Sequence, residues 1–225
     1  MLDMTGIKEG SRVLDVAAGA GEQSIITAQR VKSTGYVLAT DLSADILDYA
    51  RSSAKLAGYS NIDTQIIDDE SLSELQAEPF DAVISRVGLI YFPDQQKALK
   101  GMREKLKEGG KIGVMVYSTV QKNPFFSTPV SIIRRRAQLP PPLPGQPGPF
   151  SLGDPLVLEK SLLDAGFHDV EIQVIDAPLH MESAVKCLQF EQDDAWSEIE
   201  TALQQFETDG QFTGLCEVLV ASAAK

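Results

Sequence analysis

The chain has 225 residues, 43% hydrophobic and 23% charged, and its 32 acids against 20 bases give a formal net charge of -12 at pH 7. These proportions are those of an ordinary globular protein and exclude disordered, collagen-like and coiled-coil architectures. The negative balance would repel a polyphosphate backbone rather than release its counterions, which excludes nucleic-acid binding driven by net charge.

Strand-like and helix-like segments alternate through the first half, the signature of a parallel sheet covered by helices on both faces. Arg12 to Ala17 is short and apolar, Glu22 to Val31 follows as a helix, and Tyr36 to Thr40 is a second strand ending at Asp41. Ser43 is placed to N-cap a helix carrying Ile46, Leu47, Ala50 and Ala54 on one side, with Gly58 to stop it. Ile62 to Ile67 reads as a third strand, Glu70 to Gln76 as a weak helical stretch, and Phe80 to Ser85 as a fourth strand. Pro93 opens a helix with Ala98, Leu99, Met102 and Leu106 in phase, which Gly109 and Gly110 are expected to end before a fifth strand, Lys111 to Tyr117.

Six prolines (Pro140, Pro141, Pro142, Pro144, Pro147 and Pro149) then crowd the stretch 139–149, which reads as an extended surface loop. After it come a helix from Asp154-Pro155 to Gly166, a strand from Val170 to Ile175, a helical region in which Trp196, Ile199, Leu203 and Phe206 fall at packing intervals, and a last strand from Val218 to Ala221. These segments are too few for a second core, so residues 1–225 are expected to form a single domain. Every apolar stretch is strand-sized, and Asp15 interrupts the one nearest the N-terminus, so neither a membrane span nor a secretory h-region is expected and the location reads as cytoplasmic.

The chemistry is concentrated in Val13-Leu14-Asp15-Val16-Ala17-Ala18-Gly19-Ala20-Gly21-Glu22, a strand running through a small-residue turn into a helix. Asp41 ends the next strand about 20 residues after Gly21, the place of an acid for ribose hydroxyls at the carboxyl edge of a doubly wound sheet. A tight turn with no ligand, in which Asp41 merely caps the next segment, is the plain alternative. A dinucleotide would set its pyrophosphate on the helix N-terminus, where Glu22 puts a carboxylate and Asp15 adds another nearby. Ser24 also stands where the third glycine of the dinucleotide pattern belongs. Two carboxylates suit a ligand with sulfonium and ammonium groups, which describes S-adenosylmethionine.

At these motifs the chain resembles the class I S-adenosylmethionine-dependent methyltransferases, in the branch of the ubiquinone and menaquinone biosynthesis methyltransferases. Val13 to Gly21 is similar to the glycine-rich first motif, Ala39-Thr40-Asp41-Leu42-Ser43 to the second, and Ile67-Asp68-Asp69-Glu70 to the third. Ser85 to Asp94 and Leu106 to Gly110 match the signatures after the fourth and before the fifth strand, so the resemblance extends over nearly the whole chain. It implies a Rossmann-like, mostly parallel seven-stranded α/β sheet with an antiparallel last strand. It also implies that Asp15, Ala17, Gly19 and Gly21 surround the methionine part of the cofactor and that Asp41 accepts both ribose hydroxyls. Leu42 would lie on the adenine, Asp68 would accept from its exocyclic amine, Asp69 would offer a backbone N–H to the ring, and Arg86 would offer its backbone near the methionyl ammonium.

Two departures stand out. Ala17 replaces the commonest glycine, so the turn is expected to keep a conformation that tolerates Cβ there. Relatives usually carry helices before the first motif, whereas Met1 to Ser11 alone precede it here, leaving either a truncated chain or an open acceptor pocket. The reaction implied is methyl transfer to a small-molecule carbon, nitrogen or oxygen nucleophile, and the oligomeric state is not legible. An NAD-dependent oxidoreductase and a non-catalytic adenosyl-binding protein are the alternatives. No catalytic residue stands out: His180 and Tyr91 are candidate bases with ordinary structural readings. Arg134, Arg135 and Arg136 form a basic run that reads as a solvated helix face or as a contact for an anionic acceptor. Cys187, Cys216, His168 and His180 have no metal-ligand spacing, so no metal site is expected.

Overall fold

Apolar runs bounded by turns and followed by amphipathic helical periods bury both faces of a sheet when each connection crosses over to the next parallel strand. The computed structural model describes residues 1–140, 143, 145–181, 183, 196–208 and 211–225, so Pro141, Pro142, Pro144 and Cys187, with the side chains of Asp69 and Trp196, lie outside the described residues. Its strands β1 (Arg12–Val16), β2 (Tyr36–Asp41), β3 (Ile62–Ile66), β4 (Phe80–Arg86) and β5 (Leu106–Tyr117) are mutually parallel. Strand β6 (His168–Asp176) follows late in the chain, β7 (Leu179–Met181), β8 (Glu207–Thr208) and β9 (Gln211–Gly214) are short, and β10 (Glu217–Ala224) is last. The main sheet has the order β3-β2-β1-β4-β5-β10-β6, with β10 antiparallel to both of its neighbours, as expected. Strand order reverses at β1, between β2 and β4, so the turn leaving β1 opens at a topological switch point.

Side chains of β1 alternate between the two layers. Val13 joins Ala28, Val31, Val37 and Ile84 under α1 (Glu22–Val31), and Leu14 and Val16 join the larger core beneath α3 (Gln95–Glu104) and α5 (Pro155–Asp164). Helix α2 (Ala44–Leu56) lays Leu47, Ala50 and Ala54 inward and leaves Ile46 partly exposed. Its ends follow the sequence: Ser43 Oγ accepts from the Ile46 N–H, and Gly58 takes φ +82° so that its N–H and that of Tyr59 reach the Lys55 and Ala54 carbonyls.

Helix α3 departs from expectation at both ends. Asp94, not Pro93, is its cap, accepting from the Lys97 N–H at 2.9 Å, and the helix stops at Glu104 instead of reaching Gly109 and Gly110. Leu106 is buried as a strand residue opposite Phe80, and a residue four positions after Met102 satisfies a helical period whether or not the helix continues. The two glycines sit inside β5, where the register against β4 slips between the Leu106 and Lys111 pairings. The weak helical stretch is a 3-10 segment, Asp69–Glu74, started by Asp68 accepting from the Glu70 N–H.

Helix α4 (Pro124–Arg136), α6 (Trp196–Leu203) and the small sheet β7-β9-β8 build a satellite core of Phe125, Ile132, Ile199, Leu203 and Phe212. This small core draws Phe125 and Ile132 from α4, ahead of the proline-rich stretch, together with residues that follow it, and Phe125 and Phe212 meet edge to face at 5.7 Å. Asn123, fully buried, fastens it to the main sheet. Its Nδ2 donates to Ser118 Oγ and the Thr119 carbonyl, and its Oδ1 accepts from the Glu217 N–H.

One close approach sets where α1 begins. A Cβ on Gly21, which has φ +83°, would meet Ala50 Cβ of α2 at 2.8 Å. Gly21→Ala should therefore lower unfolding free energy by about 1–3 kcal/mol through strain and overpacking. Chemical denaturation of this variant with and without Ala50→Gly checks it, since relief of the clash should make the double variant less destabilised than the sum of the singles.

Candidate functional site

The turn between β1 and α1 is bent by left-handed residues: Ala17 at φ +55°, Gly19 at +54° and Gly21 at +83°. A turn conformation that readily tolerates a Cβ at Ala17 is what the sequence leads one to expect; the alanine instead occupies the left-handed region itself, at a cost of roughly 1–2 kcal/mol. Its Cβ fits because Gly88 faces it without a side chain; a Cβ there would lie 2.4 Å from that of Ala17. Val87, beside Gly88 after β4, is also left-handed at φ +62°, a rarer state for a β-branched residue, and its N–H is tied to the Met115 carbonyl at 2.8 Å. Strain thus sits on both strand ends that flank the switch point, held by the packing around it.

Between these strand ends lies a cavity of about 250 Å³ lined by Asp15, Ala17, Gly19 and Arg86 from the predicted set, together with Ala18, Ala20, Glu22 and Gln23. Asp15 is its buried acid, 1% exposed, accepting from Ser24 Oγ at 2.6 Å. Burial pushes its pKa up to about 7; the Ser24 bond and the Arg86 charge pull the other way, and Asp41 adds to the rise. Arg86 reaches across to Glu22 of α1 at 2.9 Å. Glu22 is therefore half of a solvent-facing ion pair rather than the bare carboxylate the sequence suggested, and 64 residues of separation hid that pairing. Ser24, read in the sequence only as a missing glycine, is the hydroxyl that holds Asp15.

The remaining predicted residues lie outside this cavity. Gly21 shapes it from behind, as the N-cap of α1 against α2. Asp41 is bound to its rim: Oδ2 accepts from the Gly19 N–H at 3.0 Å and Oδ1 from the Ser43 N–H at 3.1 Å. Leu42 is 66% exposed beside it. Asp68 is exposed at the end of β3, and Asp69 begins the 3-10 segment. Of the candidate bases, Tyr91 is exposed and His180 belongs to the satellite sheet, its ring nitrogen 3.3 Å from Thr213 Oγ; neither lines the cavity. Among the described residues no group of three or more His, Cys, Asp or Glu side chains is arranged to hold a metal ion. Ser85, singled out in the sequence only as the start of a motif, has a buried hydroxyl close to Gly88 with no hydrogen-bond partner among the described residues.

The basic run divides. Arg135 and Arg136 both pair with Glu198 of α6, while Arg134 donates to the Pro140 carbonyl and lines a second cavity.

Residues 1–133 match the ubiE/COQ5 methyltransferase family. A ubiquinone/menaquinone biosynthesis C-methyltransferase of Chromobacterium violaceum is 35% identical over 132 residues, which are 56% of this chain and 51% of that protein. The chain spans about half the length of the curated relatives it matches. The fold is shared with a protein of Bacillus halodurans, at TM-score 0.71 and 21% identity over 100% of this chain and 96% of that one. It is shared also with an S-adenosylmethionine-dependent methyltransferase of Aquifex aeolicus, at TM-score 0.61 and 15% identity over 100% and 87%. At those identities the likeness is one of fold. The family match ends inside α4, short of the nearly complete coverage that the sequence motifs suggested.

The raised pKa of Asp15 has a measurable consequence. The folded chain keeps this proton to about pH 7, while an unfolded chain releases it near 3.8. Folding takes up a proton in that window, so the contribution of Asp15 to stability falls as pH rises through it. Asp15→Asn should gain stability relative to the parent between pH 4 and 7 and hold a constant advantage above, as followed by denaturant unfolding at stepped pH. A difference independent of pH would show that burial does not govern this carboxyl.

Proposed function

The chain belongs to the ubiE/COQ5 methyltransferase family, and on that basis we propose that it transfers a methyl group from S-adenosylmethionine to a small-molecule acceptor. The observation that carries this reading is Asp15: a buried carboxyl on the wall of a switch-point cavity whose nearest cation, Arg86, is already engaged by Glu22. Such a site fits a ligand that brings its own positive charge, because an arriving ammonium or sulfonium favours the ionised form that burial disfavours. It fits a pyrophosphate poorly, and the nicotinamide-dependent alternative is not favoured.

In this proposal the 250 Å³ cavity takes the methionine end, with Asp15, Ala17, Gly19 and the Arg86 backbone around it and Gly21 behind the turn that forms its wall. Asp41 accepts from the ribose hydroxyls with lone pairs left over from Gly19 and Ser43. Leu42 offers its exposed side chain to the adenine, which Asp68 and the Asp69 N–H bound along the edge. When bound, the cofactor would supply an activated methyl group for the acceptor's electron pair, with the pair of the broken carbon–sulfur bond retained by sulfur as a neutral thioether. The chain's share is alignment and exclusion of water, and for a well-aligned pair that is worth roughly 7–11 kcal/mol of barrier. The packing and hydrogen bonds that hold the left-handed residues on both strand ends are suited to this, since they keep the walls from relaxing toward the ligand. No residue is assigned as a base.

Calorimetry tests the reading directly. S-adenosylhomocysteine should bind and NADH should not; NADH binding without adenosyl binding would overturn it. Asp41→Ala should weaken S-adenosylhomocysteine at least about tenfold, since charge-assisted bonds are worth roughly 1.5–3 kcal/mol each. It should also lower the melting temperature, because the Gly19 and Ser43 N–H groups lose their acceptor. A variant that melts early yet binds with unchanged affinity would confine Asp41 to holding the turn.

A further inference from the structure

A second cavity, of about 420 Å³, lies between α4 and residues 145–151, in the size range of small-molecule sites. Its walls are largely apolar. Val120 and Val130 present exposed side chains, and Pro147, Pro149 and Phe150 close the other side. Arg134 is the charged residue on its wall, half-buried, with one donor spent on the Pro140 carbonyl. Among the described residues it has no carboxylate partner, in contrast to Arg135 and Arg136, which share Glu198. A guanidinium carries five N–H donors in a planar fork, so most of the capacity of Arg134 is uncommitted at the edge of an apolar space.

The position of this cavity ties it to the cofactor cavity. Its loop wall is pinned to the turn after β4, where the Ile90 carbonyl accepts from the Gly148 N–H at 2.8 Å and from Ser151 Oγ at 3.3 Å. Phe150 is in ring contact with Tyr117 at the end of β5, 6.4 Å between centroids. Tyr117 in turn lies close enough to Arg86 of the first cavity to feel its charge, although burial dominates and pushes the phenol up to about 12. The first cavity thus has Arg86, the last residue of β4, on its wall, and the second has Phe150, which packs on Tyr117, the last residue of β5. Most of the second cavity also lies past residue 133, where the family match ends, so nothing in that match dictates what it holds.

Resting on the methyltransferase reading, we propose that this cavity receives the methyl acceptor and that Arg134 selects one with an anionic group on an apolar body. An acid or sulfonate would take the free fork of Arg134 while its hydrocarbon displaces water from Val120, Val130 and Phe150. A neutral molecule of the same shape would forgo the charged contact.

Two fluorescent probes with one ring system test this: 8-anilinonaphthalene-1-sulfonate, which is anionic, and N-phenyl-1-naphthylamine, which is neutral. Both are titrated into the full chain saturated with S-adenosylhomocysteine. Arg134→Gln should weaken the sulfonate probe tenfold or more and leave the neutral probe within twofold. Val130→Phe, which fills the cavity, should weaken both. Equal sulfonate affinity in the parent and Arg134→Gln would overturn the role of Arg134, and probes indifferent to Val130→Phe would overturn the cavity as a site. Calorimetry with S-adenosylhomocysteine on the same preparations separates this from the reading it rests on. Adenosyl binding without probe binding removes only the acceptor inference, while loss of adenosyl binding by the parent chain removes both. Thermal melting of each variant confirms that the comparison is between folded proteins.

Discussion

The carboxylate of Asp41 is the interaction on which the site depends. It stands at the end of β2 and accepts from the N–H of Gly19, so the turn leaving β1 is tied to the neighbouring strand. It also accepts from Ser43, whose side chain starts α2, and α2 brings Ala50 against Gly21 at the start of α1. One acid therefore links β2, the β1 turn and the two helices that follow them. Without such a tie the left-handed Ala17 would have reason to relax, since for a residue with a Cβ that conformation is costly. With it, the turn that forms the cavity wall is tied to β2 without any ligand.

Charge around the cavity is arranged on two levels. Glu22 and Arg86 neutralise each other at the solvent-facing mouth, where an exposed ion pair contributes at most about 1 kcal/mol of stability. Asp15 below them is shielded from water and has a hydroxyl, Ser24, as its hydrogen-bond partner. That arrangement keeps its proton loosely held near neutrality, so its charge state is open to the influence of a cationic ligand. The cost is a carboxyl that weakens the fold as pH rises, which is the usual exchange of stability for a prepared site.

The chain divides its work along its length. The first five strands and their helices carry the turn, the acids and the family match, and the later segments add β6 and β10 to the sheet. The same later segments raise the satellite core on Asn123 beside the carboxyl ends of β4 and β5. Loops and additions at that edge are where a fold of this kind varies its chemistry, since the sheet beneath can stay the same while the cover changes. The aromatic line from Phe150 through Tyr117 and Phe126 to Phe125 and Phe212 runs from the second cavity into the satellite core. Packing of that cover therefore bears directly on the shape of the space it encloses.

The order and type of the first elements were legible from the sequence by itself, because periodicity and capping are local. Glu22–Val31 is helical between the residues its pattern predicts, and Ser43, Gly58 and Asp154 end or start helices through their own side chains or backbone freedom. Asp15, Gly19 and Asp41 could be singled out for the same reason, since a strand, a small-residue turn and an acid at the next strand end lie within one stretch of chain. What the sequence hid was long-range. Leu106 has the same burial in a helix or a strand, and pairing with Phe80 decided between them. Glu22 found Arg86, Gly88 made room for Ala17, and Arg134 parted from its two neighbours only when α6 brought Glu198 to them. Local pattern determines which element forms, but the state of a charge or a strained residue is set by whatever the fold places against it, and that is decided by tertiary structure alone.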